Sequence, residues 1–170
     1  RPAAAGQPQG RPWPGPRVAA RRAATLARLS PGDLGAATRV VTTINAMAQR
    51  CPPRAVLESA GIAVKSGRSV DLDDLIQHFT VNGYARTATV MEPGDFAVRG
   101  GVVDVYPPGA EEPVRLDFFG DTLESIRAFD PETQRSLRQL KAIEFTPVSE
   151  VLLDEASISR FRSGFVKTFG

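Results

Sequence analysis

The chain has 170 residues, of which 42% are hydrophobic and 24% are charged, as is typical of a globular protein with one core or two small ones. No apolar run approaches the roughly 20 residues of a membrane-spanning helix, which excludes a membrane span in this sequence. The single cysteine, Cys51, excludes an internal disulfide. A lone cysteine and the lack of a visible signal peptide together predict a cytoplasmic protein without a membrane partner.

Charge is distributed unevenly along the chain. Residues 1–50 carry eight arginines and one acid, Asp33, for a net charge of +7, whereas residues 51–170 carry 13 bases and 18 acids, for a net charge of −5. An arginine-rich, acid-poor segment can bind nucleic acid through its phosphates. Arginine used in place of lysine in an Ala-, Arg- and Pro-rich sequence explains the same excess, so both interpretations stay open.

The N-terminal third predicts short elements after an unstructured start. Residues 1–16 contain five prolines and three glycines and predict a disordered low-complexity arm. Residues 17–29 are rich in strong helix formers and predict a helix. The β-branched run at residues 38–43 predicts a short buried strand, and residues 44–49 begin either a helix or a turn.

The clearest helix covers Asp71 to Asn82. Asp71 is a predicted N-cap, and acids fill the first turn, where the helix dipole favours them. The apolar residues at helical spacing are Leu72, Leu75, Ile76 and Phe79. Gly83 suits the left-handed position after the helix. Around it we predict one or two helical turns at residues 54–60, a small strand and turn at 64–70 and a strand at 84–91.

Residues 94–135 contain four segments of alternating character, which predict an antiparallel meander. Glycine and proline supply the backbone angles for its reversals. The predicted turns are Gly100-Gly101, Pro107-Pro108-Gly109 and Gly120-Asp121.

Alternation gives this meander two unlike faces, because successive strand side chains point to opposite sides. The core face is predicted to carry Phe96, Val98, Val114, Leu116, Phe118, Ile126 and Ala128. The outer face is predicted to carry Arg99, Arg115, Asp117, Phe119, Arg127 and Phe129. Arginines beside aromatic rings are typical of interface hot spots. Solvated arginines and covered rings on an ordinary scaffold explain the pattern equally, so the alternation leaves both open.

The last third predicts one strand at residues 141–147 and a final helix capped by Asp154. The apolar stripe of this helix is Ile158, Phe161, Phe165 and Phe169. Its apolar partner is expected to lie partly outside this sequence.

Groups that could perform chemistry are few. The only histidine, His78, has no second His or Cys at ligand spacing and is predicted to be a surface or boundary residue. Cys51 has no histidine close in sequence to activate it. The sequence has no GxxxxGK[ST] and no GxGxxG motif. We therefore predict no catalytic, cofactor or metal site, and no nucleotide hydrolysis by this chain.

The meander carries a family resemblance. The stretches GDFAVRGGVVDVYPP and EEPVRLDFFGDTLESIRAFDPETQRS resemble the domain shared by the excision-repair protein UvrB and the transcription-repair coupling factors (Mfd). The flanks VVTTINAMAQRCPPR and LLDEASISRFRSGFVKTFG are similar to the coupling-factor version. The resemblance covers about residues 18–170, is densest at 93–136 and is absent from the N-terminal arm.

This resemblance implies an α/β (α+β) architecture. A partial, degenerate RecA-like scaffold at residues 17–93, with a strand at 40–43, would precede an inserted antiparallel-sheet domain at 94–150. The helix within 151–170 would return to the scaffold. Such domains bind UvrA.

Carried over by motif, the UvrA contacts would be Arg99 of AVRG, Arg115 of PVRLD and Phe119 of FFGD. The rim residues would be Asp117, Asp121 and Arg127. The predicted function is a non-catalytic interaction module that recruits UvrA in transcription-coupled nucleotide excision repair. The parent family implies an ATP-dependent DNA translocase that displaces stalled RNA polymerase, with RNA polymerase and DNA bound by parts absent here. The alternative is a DNA-binding fragment that acts through the arginine-rich arm.

Overall fold

The computed structural model describes residues 16–29, 39–150 and 155–169. The helices of these segments are α1 (Pro16–Leu29), α2 (Ile44–Met47), α3 (Arg54–Ser59), α4 (Leu72–Val81) and α5 (Glu155–Phe169). The strands are β1 (Ile62–Lys65), β2 (Arg68–Ser69), β3 (Ala85–Arg86), β4 (Asp95–Arg99), β5 (Val102–Val105), β6 (Val114–Phe119), β7 (Thr122–Phe129), β8 (Ser136–Leu140) and β9 (Ala142–Phe145). Of the predicted arm at residues 1–16, residues 1–15 lie outside the described residues, and Pro16 instead begins α1.

The predicted meander is confirmed by strands β4 to β7. Each of these strands pairs antiparallel with the next. The full sheet runs in the order β2-β7-β6-β5-β4-β3, with β8 added against the second half of β7. Among the described strands of this sheet, only β3 is parallel to its neighbour, β4. Helices and largely antiparallel sheets make the architecture α+β, as predicted.

The glycine pair between β4 and β5 lets the chain approach β6 closely just before β5 begins. Gly100 has a φ of +58°, in the left-handed region that glycine adopts without strain. A Cβ atom on Gly101 would lie 2.8 Å from the carbonyl oxygen of Phe118. That close contact accompanies a hydrogen bond of 2.7 Å from the Phe118 amide to the Gly101 carbonyl.

Helix α4 covers the core face of the sheet. Its predicted cap is confirmed, since one Asp71 carboxylate oxygen accepts from the amides of Asp73 and Asp74 at 2.9 Å each. The ring of Phe79 then packs against three aromatic residues from separate parts of the chain. The ring centroids of Tyr84, Phe96 and Phe145 lie 5.0, 5.6 and 5.0 Å from that of Phe79. This cluster attaches α4 to both β4 and β9.

Strands β1 and β9 form a separate two-stranded antiparallel sheet. It joins a segment before the meander to the segment after it, with Ile62 paired to Phe145. Strand β2 likewise precedes the meander and pairs with β7. The domain boundary at residue 94 stays a prediction, and the strand pairing extends on its N-terminal side to residue 62.

The predicted strand at residues 38–43 is wrong for its described part. Residues 39–43 have no regular secondary structure, and Val41 is 95% exposed. The same finding removes the RecA-like strand expected at residues 40–43. A β-branched run forms a strand only where a neighbour pairs with its backbone. Thr43 instead caps α2, accepting a hydrogen bond from the Ala46 amide.

One further strand prediction needs correction, and one strand was missed. The strand expected at residues 84–91 contains only Ala85 and Arg86, because the chain then turns at Thr87, whose hydroxyl donates to the Thr89 carbonyl. Strand β8 was not predicted, since its residues are exposed and follow no alternation.

The terminal helices of the described chain are both confirmed. Ala20 of α1 is fully buried and belongs to the core cluster that contains the sheet residues Phe96 and Leu116. Phe161 and Phe165 form an exposed pair on α5, with ring centroids 5.9 Å apart. The predicted cap Asp154 lies outside the described residues. None of the helices in the described ranges is long and apolar enough to cross a membrane.

Candidate protein-interaction site

The outer face of β4–β7 is built on a cross-strand row of charged side chains. Register places Asp104 on β5 directly opposite Arg115 on β6, which is itself opposite Arg127 on β7. Arg99 lies at the end of β4, paired with Val102. Residues directly and diagonally opposite on one face of a sheet are within reach of each other. The sheet therefore brings side chains from four strands into one polar surface.

Asp104 is the centre of this surface. Its side chain is completely buried, and its carboxylate accepts from Arg99 Nη2 at 2.5 Å. Arg115 donates to both oxygens of the same carboxylate, from Nε at 2.6 Å and from Nη2 at 2.9 Å. Two-point contacts of this kind are among the strongest hydrogen bonds in proteins. We call Asp104, Arg99 and Arg115 the Asp104 network.

The two arginines of the Asp104 network differ in exposure. The Arg99 side chain is 54% exposed, whereas that of Arg115 is 19% exposed. Hydrogen bonds to Asp104 raise the pKa of the Arg115 guanidinium above its usual value, against the opposing effect of burial. Arg115 is therefore held as a cation within the surface, while Arg99 reaches towards solvent.

Phe129 stands under Arg115 and corrects one prediction. It lies on the outer face but is fully buried, in a second cluster with Val90, Ala97 and Tyr106. The Arg115 guanidinium carbon lies 4.8 Å from the centre of its ring, at cation–π distance. Alternation predicted the correct face, and residues from outside β7 cover the ring.

Asp117 and Arg127 form a second charged pair on the same face. Asp117 Oδ2 accepts from Arg127 Nε at 3.1 Å and from Nη2 at 2.7 Å. The Ser125 hydroxyl donates to the same oxygen at 2.6 Å. Together with Arg99, Arg115 and Gln134, this pair lines a shallow cleft of about 520 Å³.

Phe119 and Asp121 lie apart from this cleft, at the end of the β6–β7 hairpin. Phe119 is 77% exposed and follows a register shift between Asp117 and Phe118. Asp121 is exposed in the turn, and its backbone carbonyl accepts from the Val70 amide. The structure thus brings four predicted residues together and leaves two at the adjoining hairpin tip.

Sequence reasoning missed Asp104. The signal was present, because an aspartate inside the apolar run Val102–Val105 is unusual for a buried strand. Alternation places Asp104 on the outer face, and two arginines were already predicted there. A buried carboxylate requires such partners.

The remaining candidates carry little chemistry. Burial lowers the pKa of His78, which lies half-buried on α4 as the predicted boundary residue, and Cys51 is exposed. Within the described ranges, no group of three or more His, Cys, Asp and Glu side chains is placed to bind a metal ion. The outer face offers fixed cations, one exposed ring and no activated nucleophile among the groups described above.

Residues 62–151 match the UvrB interaction domain family. The chain belongs to this family. All nine strands described above, and therefore the whole outer face, lie within the matched segment of the UvrB interaction domain.

Several curated relatives of the chain are transcription-repair-coupling factors. The chain is 40% identical to the transcription-repair-coupling factor of Myxococcus xanthus over 133 residues, which cover 76% of this chain and 11% of the relative. It is 37% identical to the factor of Escherichia coli K12 over 130 residues, which cover 76% of this chain and 11% of the relative. It is 33% identical to the factor of Bacillus subtilis over 138 residues, which cover 81% of this chain and 12% of the relative. The chain thus spans about a ninth of the length of these relatives.

Proposed function

We propose that this UvrB interaction domain is a non-catalytic module that binds UvrA during transcription-coupled nucleotide excision repair. The carrying observation is the exposed Phe119 beside an ordered arginine surface within the segment that matches the family. The names of the relatives support the repair context.

Phe119 is the proposed apolar anchor. A phenylalanine that is 77% exposed leaves most of its ring in water, and a partner that covers it recovers that hydrophobic free energy. Aromatic and arginine side chains carry much of the binding energy of interfaces, often ~2 kcal/mol or more each. Its position at a hairpin tip allows a partner pocket to enclose the ring.

Arg99 is the proposed polar contact, because its guanidinium makes one hydrogen bond to Asp104 and is more than half exposed. Arg115 is already bound to Asp104 at two points. It is also less exposed, so it offers the partner less of its guanidinium than Arg99 does. Asp117, Arg127 and Asp121 complete the rim, where contacts adjust specificity more than affinity.

We further propose that the UvrA-binding unit begins near residue 62 rather than at residue 94. The pairings of β1 with β9 and of β2 with β7 support this extent, as does the family match to residues 62–151. In the same proposal, residues 17–61 and 151–170 belong to the scaffold and not to the UvrA-binding unit.

The test is titration calorimetry of the chain with purified UvrA, using two triple variants. The first replaces Arg99, Arg115 and Phe119 with alanine. The matched control replaces Arg160, Arg162 and Phe161 on α5 with alanine, which removes the same residue types from another exposed surface. We expect the first variant to lose at least about 30-fold in affinity, equivalent to ~2 kcal/mol, and the control to bind like the native chain. Equal binding by both variants would refute the proposal.

DNA binding through the N-terminal region is the second candidate. It is favoured by Arg21 and Arg28, which are exposed on α1, whereas Arg22 is paired with Glu150 at 3.0 Å. Duplex binding by an Arg21→Ala, Arg28→Ala variant should show a salt slope shallower by about 2 if both arginines contact phosphate. An unchanged slope would remove these two residues from the hypothesis.

The activities of a longer protein are also proposals. From the family resemblance of the sequence, we propose that a longer protein would be an ATP-dependent DNA translocase that displaces stalled RNA polymerase in the cytoplasm. The name of the relatives supports only a role that couples transcription to repair. Contacts with RNA polymerase and DNA would then belong to segments other than the outer face.

A further inference from the structure

Asp104 occupies a position where the fold has no need of a charge. It lies in the middle of the sheet on β5, between the fully buried Val103 and Val105. Moving a carboxylate out of water is costly, and well-packed apolar residues often replace buried ion pairs without loss of stability. The charge at Asp104 therefore calls for an explanation other than the stability of the sheet.

The geometry of the Asp104 network supplies such an explanation. Strand β5 lies between β4 and β6, so that Asp104 can reach Arg99 on one neighbour and Arg115 on the other. Arg115 is directly opposite Asp104, and Arg99 reaches it diagonally from the pair with Val102. One carboxylate thus fixes guanidinium groups from two different strands.

Fixing these groups matters for binding, because a free arginine side chain has rotamer entropy that a partner would have to remove. Side chains that are already ordered bind with a smaller entropic cost. Phe129 adds a second restraint on Arg115, with its ring 4.8 Å from the guanidinium carbon.

We infer that Asp104 is a positioning residue that holds Arg99 and Arg115 in the arrangement recognised by UvrA. This inference rests on the proposed function of the outer face. The Asp104 side chain is fully buried, so Asp104 would act through the two arginines rather than by direct contact.

The test is a double-mutant cycle measured by UvrA titration. Asp104→Asn keeps the shape of the side chain but removes its charge. We expect it to weaken UvrA binding by about tenfold, as the arginines lose their preorganised geometry. In the Arg99→Ala, Arg115→Ala background the same change should alter affinity less than about twofold, because no guanidinium remains to be positioned. Asp73→Asn, which removes one exposed acid on α4, is the matched charge control and should bind like the native chain.

Asp104→Val is a second variant in case Asp104→Asn does not fold, because a β-branched apolar residue suits a buried strand between Val103 and Val105. Near-UV circular dichroism of both Asp104 variants should match that of the native chain. The inference is overturned if neither variant folds, if Asp104→Asn binds UvrA normally, or if its effect is the same with and without the two arginines. Failure of the native chain itself to bind UvrA would instead overturn the proposed function, and this inference with it.

Discussion

Phe119 and Phe129 show how much the surroundings of a single residue decide its role. Both point to the outer face of neighbouring strands in the same sheet. Phe119 is 77% exposed at a hairpin tip, whereas Phe129 is fully buried under Arg115. One ring is available to a partner, and the other holds the charged surface in place. Substitution of Phe119 should therefore change the affinity for UvrA, whereas substitution of Phe129 should change the stability of the fold.

Phe119→Ala should reduce affinity for UvrA and leave the fold unchanged. We expect the dissociation constant to rise about 30-fold, the size of a lost aromatic anchor. The free energy of unfolding should stay within about 0.5 kcal/mol, as is usual for an exposed position. Calorimetric titration and urea unfolding measure the two quantities. A variant that binds normally would remove Phe119 from the proposed contact.

Phe129→Ala should destabilise the fold. Removing a fully buried phenylalanine leaves a cavity beside Val90 and Ala97 and typically lowers the free energy of unfolding by about 3–5 kcal/mol. Phe129→Leu keeps most of the apolar volume and should cost clearly less. Urea unfolding of both variants checks this, and equal stability of native chain and Phe129→Ala would contradict the second cluster.

At the scale of elements, α4 depends on its first turn. Asp71→Ala removes the acceptor of two amide hydrogen bonds and should lower the free energy of unfolding by about 1 kcal/mol. Asp71→Asn retains a capping oxygen and should recover most of that loss. Loss of equal size in both variants, measured by urea unfolding, would show that capping is not the cause.

The same helix should make stability depend on pH near neutrality. Burial lowers the pKa of His78 in the folded state below its ordinary value of 6.5, so the unfolded chain binds the proton more readily. The stabilising contribution of neutral His78 is complete above pH 6.5 and is lost as the pH falls towards the folded-state pKa. The free energy of unfolding should therefore decrease as the pH falls below 6.5. His78→Gln should show a smaller decrease, and identical pH profiles would contradict the shift.

At the scale of the whole molecule, the sequence predicted what depends on local periodicity. The meander, α4 with Asp71 as its cap, and the terminal helices follow from spacing that each segment carries within itself. Arg99 and Phe119 were correctly placed as exposed outer-face residues by the same rule.

The failures have a common physical cause, which is dependence on distant partners. The run at residues 39–43 lacks a pairing strand in the described chain, and β8 is a strand because β7 pairs with it. Phe129 is buried by Val90 and Tyr106, and Asp104 is buried because two arginines neutralise it. For the strand pairings and for the burial of Phe129, no local pattern contains that information, whereas the apolar run around Asp104 did carry a signal.

The proposal that the outer face binds UvrA is tested most directly by hydroxyl-radical footprinting of the complex. Phe119 and Phe161 are 77% and 70% exposed, so both rings should be oxidised readily in the free chain. With saturating UvrA, we predict that oxidation of Phe119 falls severalfold while that of Phe161 on α5 is unchanged. Oxidation of Phe119 at its free rate in a chain that is bound to UvrA would contradict the account.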